Sequence, residues 1–189
     1  MLEKKFKKKY RIPSSRLPGH DYGGNGYYFI TICTKNKKPF FGQIKKNKME
    51  YSVIGKITDN FWNKIPIHFD FVLLDEWIIM PDHIHGVIII NNNQRMVEMR
   101  HNLVETHNYA SLQVREMKFS GNTFGPQSKN LGSIIRAFKI AVQTYANQNN
   151  ITFAWQPRYY DRIIRNEREL NNVRRYIRNN PRMWHNQDI

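Results

Sequence analysis

Two histidines spaced one residue apart, His83 and His85, follow Pro81 and Asp82 and open the apolar run HIHGVIII over residues 83–90. Side chains alternate along a β-strand, so both imidazoles emerge on one face about 7 Å apart along the chain while Ile84 faces the other way. Neutral imidazole is a common metal ligand, and two on one face can share an ion if other groups complete the shell. Polar side chains at the head of so apolar a strand, beside a tight turn, call for a reason. The plainer reading is a pair of structural or exposed histidines.

A tyrosine supplies the second feature. In NERELNNVRRYIRNNP, residues 166–181, Tyr176 and Asn180 are four positions apart, and on a helix that spacing sets their β-carbons on one face roughly 6 Å from each other. A tyrosine can act as a covalent nucleophile, but a phenol of ordinary pKa is only about one part in a thousand phenolate at neutral pH, so it needs help from its surroundings. Tyr159 and Tyr160 are rival nucleophiles, without a polar residue four positions later on a helix. The plain readings are a packed core tyrosine and an asparagine that marks a stop before Pro181.

The third feature is basic and aromatic. The segment WQPRYYDR, residues 155–162, leads into further arginines at 165, 168, 174, 175 and 178, and helix-like residues upstream add Arg136 and Lys139. Aromatic faces stack on unpaired bases while guanidinium groups hold phosphates, a combination suited to single-stranded nucleic acid. Candidate DNA contacts are Arg136, Lys139, Trp155, Arg158, Arg162, Arg165 and Arg175. Against this stands a core Trp155 beside a solvated helix face.

Periodicity supplies the elements that must position these groups. YYFITICT, residues 27–34, is a β-branched and aromatic strand, and KPFFGQI after it could continue as a short hairpin or edge. Apolar residues recurring every three or four positions over residues 51–67 predict an amphipathic helix. FVLLDEWIIM (71–80) and HIHGVIII (83–90) predict an antiparallel hairpin turning at Pro81-Asp82. LGSIIRAFKIAVQTYANQ, from Leu131, predicts a second helix with Ser133 available as its cap. Residues 151–154 could form a short strand, and the WQPRYYDRIIRN stretch could lie extended. A closing helix begins at the cap Asn166, carries Glu167 and Glu169 in its positive first turn, and stops at Pro181.

The order strand, helix, strand, strand, helix, strand, helix is an α+β pattern. It corresponds to the ferredoxin-like split βαβ antiparallel sheet with an additional C-terminal helix that carries Tyr176. The expected organisation is a basic N-terminal arm and loop (1–26), a single catalytic domain (27–184) with a polar insertion at about 91–130, and a short tail (185–189).

Composition bounds the partners. With 189 residues, 40% hydrophobic, the chain can fill one core. Thirty Lys plus Arg against fifteen Asp plus Glu give a formal charge of +15, which favours polyanions and makes nucleic acid the first partner to consider. No run approaches the ~18 apolar residues of a spanning helix, and the basic start lacks a secretory apolar stretch. The expectation is a cytoplasmic, nucleoid-associated protein with no membrane partner. A single cysteine, Cys33, allows no internal disulfide and reads as a small core residue.

In combination and order, RLPGHDYGGNGYYFITICT, WIIMPDHIHGVIII, LGSIIRAFK and WQPRYYDRIIRNERELNNVRRYIRNNP resemble the HUH-type tyrosine transposases of single-stranded DNA, in particular the REP-associated branch. The resemblance covers residues 17–184 apart from the polar insertion. It implies that His83 and His85 are the paired histidines of a metal site and that Tyr176 is the nucleophile. It implies further that Asn180 stands where the family places a polar residue able to complete that site. The implied cofactor is a divalent ion, Mg or Mn, and the implied partner is single-stranded or hairpin DNA, with a homodimer possible. The implied reaction cleaves and rejoins DNA near hairpins through a 5′-phosphotyrosine intermediate, in which one phosphodiester replaces another and no energy cofactor is needed.

Two other functions compete: a non-catalytic ferredoxin-like nucleic-acid-binding protein, and a metal-dependent phosphohydrolase in which water attacks. A third histidine two positions on would suit a nucleotide hydrolase with a histidine nucleophile, but that position is Val87.

Overall fold

The structure, a computed structural model, describes residues 17–92 and 129–184. Residues 1–16 of the expected basic arm, most of the expected insertion and the expected tail lie outside the described residues. Strands β1 (Gly26–Cys33), β4 (Val72–Ile79), β5 (His83–Ile90) and β6 (Tyr160–Ile164) form one sheet in the order β4-β5-β1-β6, every neighbouring pair antiparallel. Counted among the sheet strands alone, this is the 2-3-1-4 order of a ferredoxin-like split βαβ sheet, as the sequence pattern predicts.

Several boundaries differ from the sequence-based expectation. The KPFFGQI stretch does not extend β1. It opens a separate two-stranded hairpin, β2 (Gly42–Lys45) with β3 (Lys48–Tyr51). The two turn residues Lys46 and Asn47 both have positive φ, the twist that a two-residue hairpin favours. The helix expected over residues 51–67 therefore loses Tyr51 to β3, starts after its Ser52 cap as α1 (Val53–Asn63), and breaks before a short α2 (Ile65–His68) with Pro66 in the first turn. Proline lacks the N–H that would continue the ladder and is tolerated where a new helix starts.

Helix α3 (Leu131–Gln148) is capped by Asn130 rather than Ser133, which instead sits at the third position and closes a reciprocal capping box. No strand forms over residues 151–154. The fourth sheet strand is β6, in the stretch expected only to lie extended, and Trp155 makes an isolated bridge to Thr34. The closing helix α4 (Glu167–Met183) has the predicted Asn166 cap but runs past Pro181, which is buried inside its last turn. Only one ladder hydrogen bond is forfeited there, and burial of the ring offsets it.

Alternation along the sheet divides the core in two. Tyr28, Ile30, Ile32, Ile84 and Ile88 point to the face covered by α1 and α3, where the Trp62 ring meets Phe138 edge-on at 5.1 Å. A β-carbon on Gly86 would lie 2.5 Å from the fully buried Trp62 ring, so that face of β5 admits only glycine at this position. The opposite face carries Phe29, Val87 and Ile89, and α4 docks there through Leu170, Val173 and Ile177.

A bulge in β4 strengthens that docking. The register slips between Leu74 and Trp77, so that Asp75 and Glu76 together stand opposite the single residue Val87. Asp75 accepts two hydrogen bonds from Arg174, and Glu76 pairs with Arg178 one helical turn later. The bulge thereby sets two consecutive carboxylates against two arginines spaced four apart on α4.

Candidate active site

β5 and α4 bring Tyr176 to the histidine pair. The His83 and His85 rings, on the α4 face of the sheet, have centroids 4.4 Å apart. Tyr176 Oη lies 3.2 Å from His85 Nε2, and the two rings meet at 5.1 Å. Tyr176 is half exposed, while its hydroxyl contact with His85 is partly buried. Phe29 stacks on His85 at 5.3 Å and meets Tyr176 edge-on at 6.0 Å, which fixes the approach of one ring to the other.

Each imidazole is anchored through Nδ1. His83 Nδ1 is 2.5 Å from Asp82 Oδ1, and His85 Nδ1 is 2.9 Å from Thr31 Oγ1. In the neutral imidazole, a hydrogen on His83 Nδ1 directed at Asp82 Oδ1 leaves Nε2 with the lone pair. With the Tyr176 hydroxyl donating to His85 Nε2, the same tautomer follows for His85 and Thr31 accepts. Anchoring of one ring nitrogen by a carboxylate or hydroxyl is the arrangement that orients a histidine for a metal on the other.

His83 Nε2 is buried without a hydrogen-bond partner. A buried polar atom left so costs about 1–3 kcal/mol, and a cation at that lone pair would remove the cost. Burial, and next the nearby His83, push the His85 imidazole down to about 3, so His85 is neutral at physiological pH, the form in which histidine ligates. The donor chemistry of the pair therefore fits a divalent ion. Among the described residues no group of three or more His, Cys, Asp or Glu could hold one, so the pair needs a neutral side chain, water or substrate oxygen to complete the shell. Asn180, 5% exposed and one turn beyond Tyr176, is such a side chain; the structure hydrogen-bonds it to neither imidazole.

The candidate DNA contacts separate into two groups. Arg136, Arg158, Arg162, Arg165 and Arg175 are exposed, with Arg162 paired to Glu169 and Arg175 donating to Asn172. Trp155 and Lys139 are drawn into the fold. The indole packs against Phe41, Phe138 and Phe153 and donates to the Lys139 carbonyl, so it serves the core rather than a stacking platform. Lys139 donates to the carbonyls of Gln156 and Arg158, and burial pushes its ammonium down to about 8. It ties α3 to the loop before β6. The rival Tyr160 lies on β6, half exposed, its ring 6.5 Å from Phe29.

Sequence reasoning missed Thr31 and Phe29. Thr31 is the cross-strand partner of His85, and Phe29 of Val87; both relations need the β1–β5 register, which no local pattern reveals. The Asp75-Glu76 bulge was also missed, although two adjacent acids within an apolar strand were a visible irregularity. Trp184, at the end of α4, brings its ring to 5.8 Å from that of His83.

No model of a known protein family matches the chain. An uncharacterized protein of Haemophilus influenzae is 38% identical over 175 residues, covering 90% of this chain and 88% of its own. Among solved structures, a REP-associated tyrosine transposase bound to a REP hairpin matches with a TM-score of 0.52 over 92% of this chain and 72% of its own, at 15% identity. At that identity the likeness is one of fold, and at that level it agrees with the resemblance read from the sequence. No helix among the described residues is long and apolar enough to cross a membrane.

Proposed function

We propose, for a chain that belongs to the same family as the Haemophilus influenzae protein and has the fold of a REP-associated tyrosine transposase, that it cleaves and rejoins single-stranded DNA beside hairpins with Tyr176 as nucleophile. The observation that carries this reading is the Tyr176 hydroxyl 3.2 Å from His85 Nε2, next to the buried, unpartnered Nε2 of His83. A tyrosine packed for the core alone would not be half exposed with its hydroxyl against a histidine pair. Residues 27–184 act as the catalytic domain.

In this reading Tyr176 Oη attacks the scissile phosphorus in line. A phosphorus–Oη bond forms as the bond to the 3′ oxygen breaks, the phenol loses its proton and the departing oxygen gains one. The product is a 5′-phosphotyrosine and a free 3′-hydroxyl, and the reverse attack rejoins strands because one phosphodiester has replaced another. His83 and His85, with Asn180, would hold a divalent ion, Mg or Mn in keeping with phosphate oxygens. Such an ion, when bound, polarises the scissile phosphate and offsets its developing charge. An imidazole held at about 3 is too weak a base to take the phenol proton; before an ion binds, His85 orients the hydroxyl.

Exposed Arg162, Arg165 and Arg175, with Arg136 and Arg158, supply positive charge for the DNA backbone. The work is cytoplasmic and nucleoid-associated, and two chains acting together are compatible with it. The test incubates the protein with labelled hairpin DNA carrying single-stranded flanks, plus Mn or Mg, and looks for a covalent adduct after denaturing electrophoresis. Wild type gives the adduct and Tyr176→Phe gives none while keeping DNA affinity. Cleaved DNA without an adduct would mean that water attacks, and binding without cleavage would leave only a nucleic-acid-binding module.

A further inference from the structure

Of the four tryptophans in the chain, three serve the large apolar core: Trp62 is fully buried in it, and Trp77 and Trp155 pack against it. Trp184 belongs to neither core among the described residues. It follows Met183 at the end of α4 with dihedrals that are still helical, φ −59° and ψ −44°, and its ring lies 5.8 Å from that of His83, inclined at 35°. Pro181, just upstream, brings no N–H to the helix ladder, so the final turn is held less firmly by its backbone. Of the described residues after Pro181, Arg182 and Met183 are exposed and Trp184 alone turns toward the sheet.

Tyr176, Asn180 and Trp184 stand four residues apart, which puts them on one face of the helix. Eight helical residues rise about 12 Å, whereas two strand residues span about 7 Å. The two aromatic rings therefore bracket the histidine pair, Tyr176 meeting His85 at 5.1 Å and Trp184 meeting His83. Asn180, buried at 5% exposure, comes from the turn between them, level with the gap between the two imidazoles.

We infer that Trp184 is a positioning residue: by lying over His83 it clamps the final turn of α4 and thereby seats Asn180 in the shell of the divalent ion assigned to the histidine pair. The inference rests on that reading of the pair. His83 has its own anchor in Asp82, so its ring does not depend on the indole for its tautomer. The group that depends on it is Asn180, which stands immediately before the proline that weakens the helix ladder.

The experiment is a double-mutant cycle read by ion affinity. Titration calorimetry with Mn alone, without DNA, compares the full chain as wild type, Trp184→Ala, Trp184→Phe, Asn180→Ala and the variant carrying both alanines; the adduct assay runs on the same proteins. Loss of a residue that orients a metal ligand typically weakens the metal by about 10–100-fold, so Trp184→Ala is expected to bind Mn about tenfold or more weakly. Trp184→Phe keeps a ring for His83 and should recover most of that loss. Because Trp184 acts through Asn180, the double variant should bind no more weakly than the weaker single variant, whereas independent roles would multiply the two losses. Unchanged Mn affinity in Trp184→Ala, multiplied losses in the double variant, or no Mn binding by wild type overturns the inference. Mn affinities that follow the expected pattern with no adduct from wild type keep the role of Trp184 and remove the nucleophile reading instead.

Discussion

The lone pair on His85 Nε2 has two claimants. With the ring hydrogen on Nδ1 it accepts from the Tyr176 hydroxyl 3.2 Å away, and a divalent ion held by the histidine pair would need the same electrons, because an imidazole nitrogen offers only one lone pair. An ion bound there would therefore break that hydrogen bond and free the phenol oxygen. A hydrogen bond of this kind is worth about 0.5–1.5 kcal/mol. Tyr176→Phe is thus expected to bind Mn roughly two- to tenfold more tightly than wild type by titration calorimetry. Weaker binding would instead make the phenol itself a ligand.

His85 also sets a pH window. Its folded value is held at about 3 and its unfolded value is ~6.5, so between these limits only the unfolded chain takes up the proton. The contribution to stability is complete above about pH 6.5 and is lost progressively as pH falls toward 3. Urea denaturation of the metal-free protein should give a lower midpoint at pH 5 than at pH 7.5, and His85→Gln should flatten the difference. An unchanged slope in that variant would assign the effect elsewhere.

At the scale of elements, α4 must present Tyr176 at a fixed height above β5, and two sets of contacts hold it. Leu170, Val173 and Ile177 bury an apolar stripe, and the β4 bulge gives Arg174 and Arg178 carboxylates to pair with. Arg174 holds the Asp75 carboxyl below the usual range, so this pair contributes at neutral pH and is lost only as pH falls through that depressed value. Asp75→Asn is expected to lower stability by roughly 1–2 kcal/mol, since the pair is partly buried. Its effect on adduct formation should exceed its effect on DNA affinity, because the helix would shift while the cationic surface stays. Equal losses in both would mean that the bulge does not position the nucleophile.

The apolar stripe and the Asn166 cap of α4 were legible in the sequence because they depend on neighbours three or four residues away. The bulge was not, because it is a mismatch between two strands and has meaning only in register with Val87. β6 shows the same limit: YDRII alternates weakly, with Tyr160 and Arg162 exposed, and its strand identity comes from pairing with β1 rather than from its own pattern. His83 and His85 were found because a strand's two-residue period alone puts them on one face. Their anchors Thr31 and Asp82 are of two kinds, one adjacent in sequence and one reached only through the sheet.

Across the whole molecule, the excess of basic residues is not one uniform surface. Arg174 and Arg178 are neutralised by Asp75 and Glu76, and Lys139 is held by two backbone carbonyls. Composition counts these with the rest, and only the fold separates cations that stabilise the protein from cations that can meet phosphate. Arg165 is exposed, and its bond to Glu169 uses the backbone N–H. Each phosphate contact to a single strand contributes about −0.7 to the slope of log K against log salt. Arg165→Ala should therefore make the measured slope shallower by about 0.7, and Arg174→Ala should leave it unchanged while reducing adduct yield. Binding isotherms from 50 to 300 mM salt decide the point, and a larger slope change for Arg174→Ala than for Arg165→Ala would reverse the division of the charges drawn from their partners.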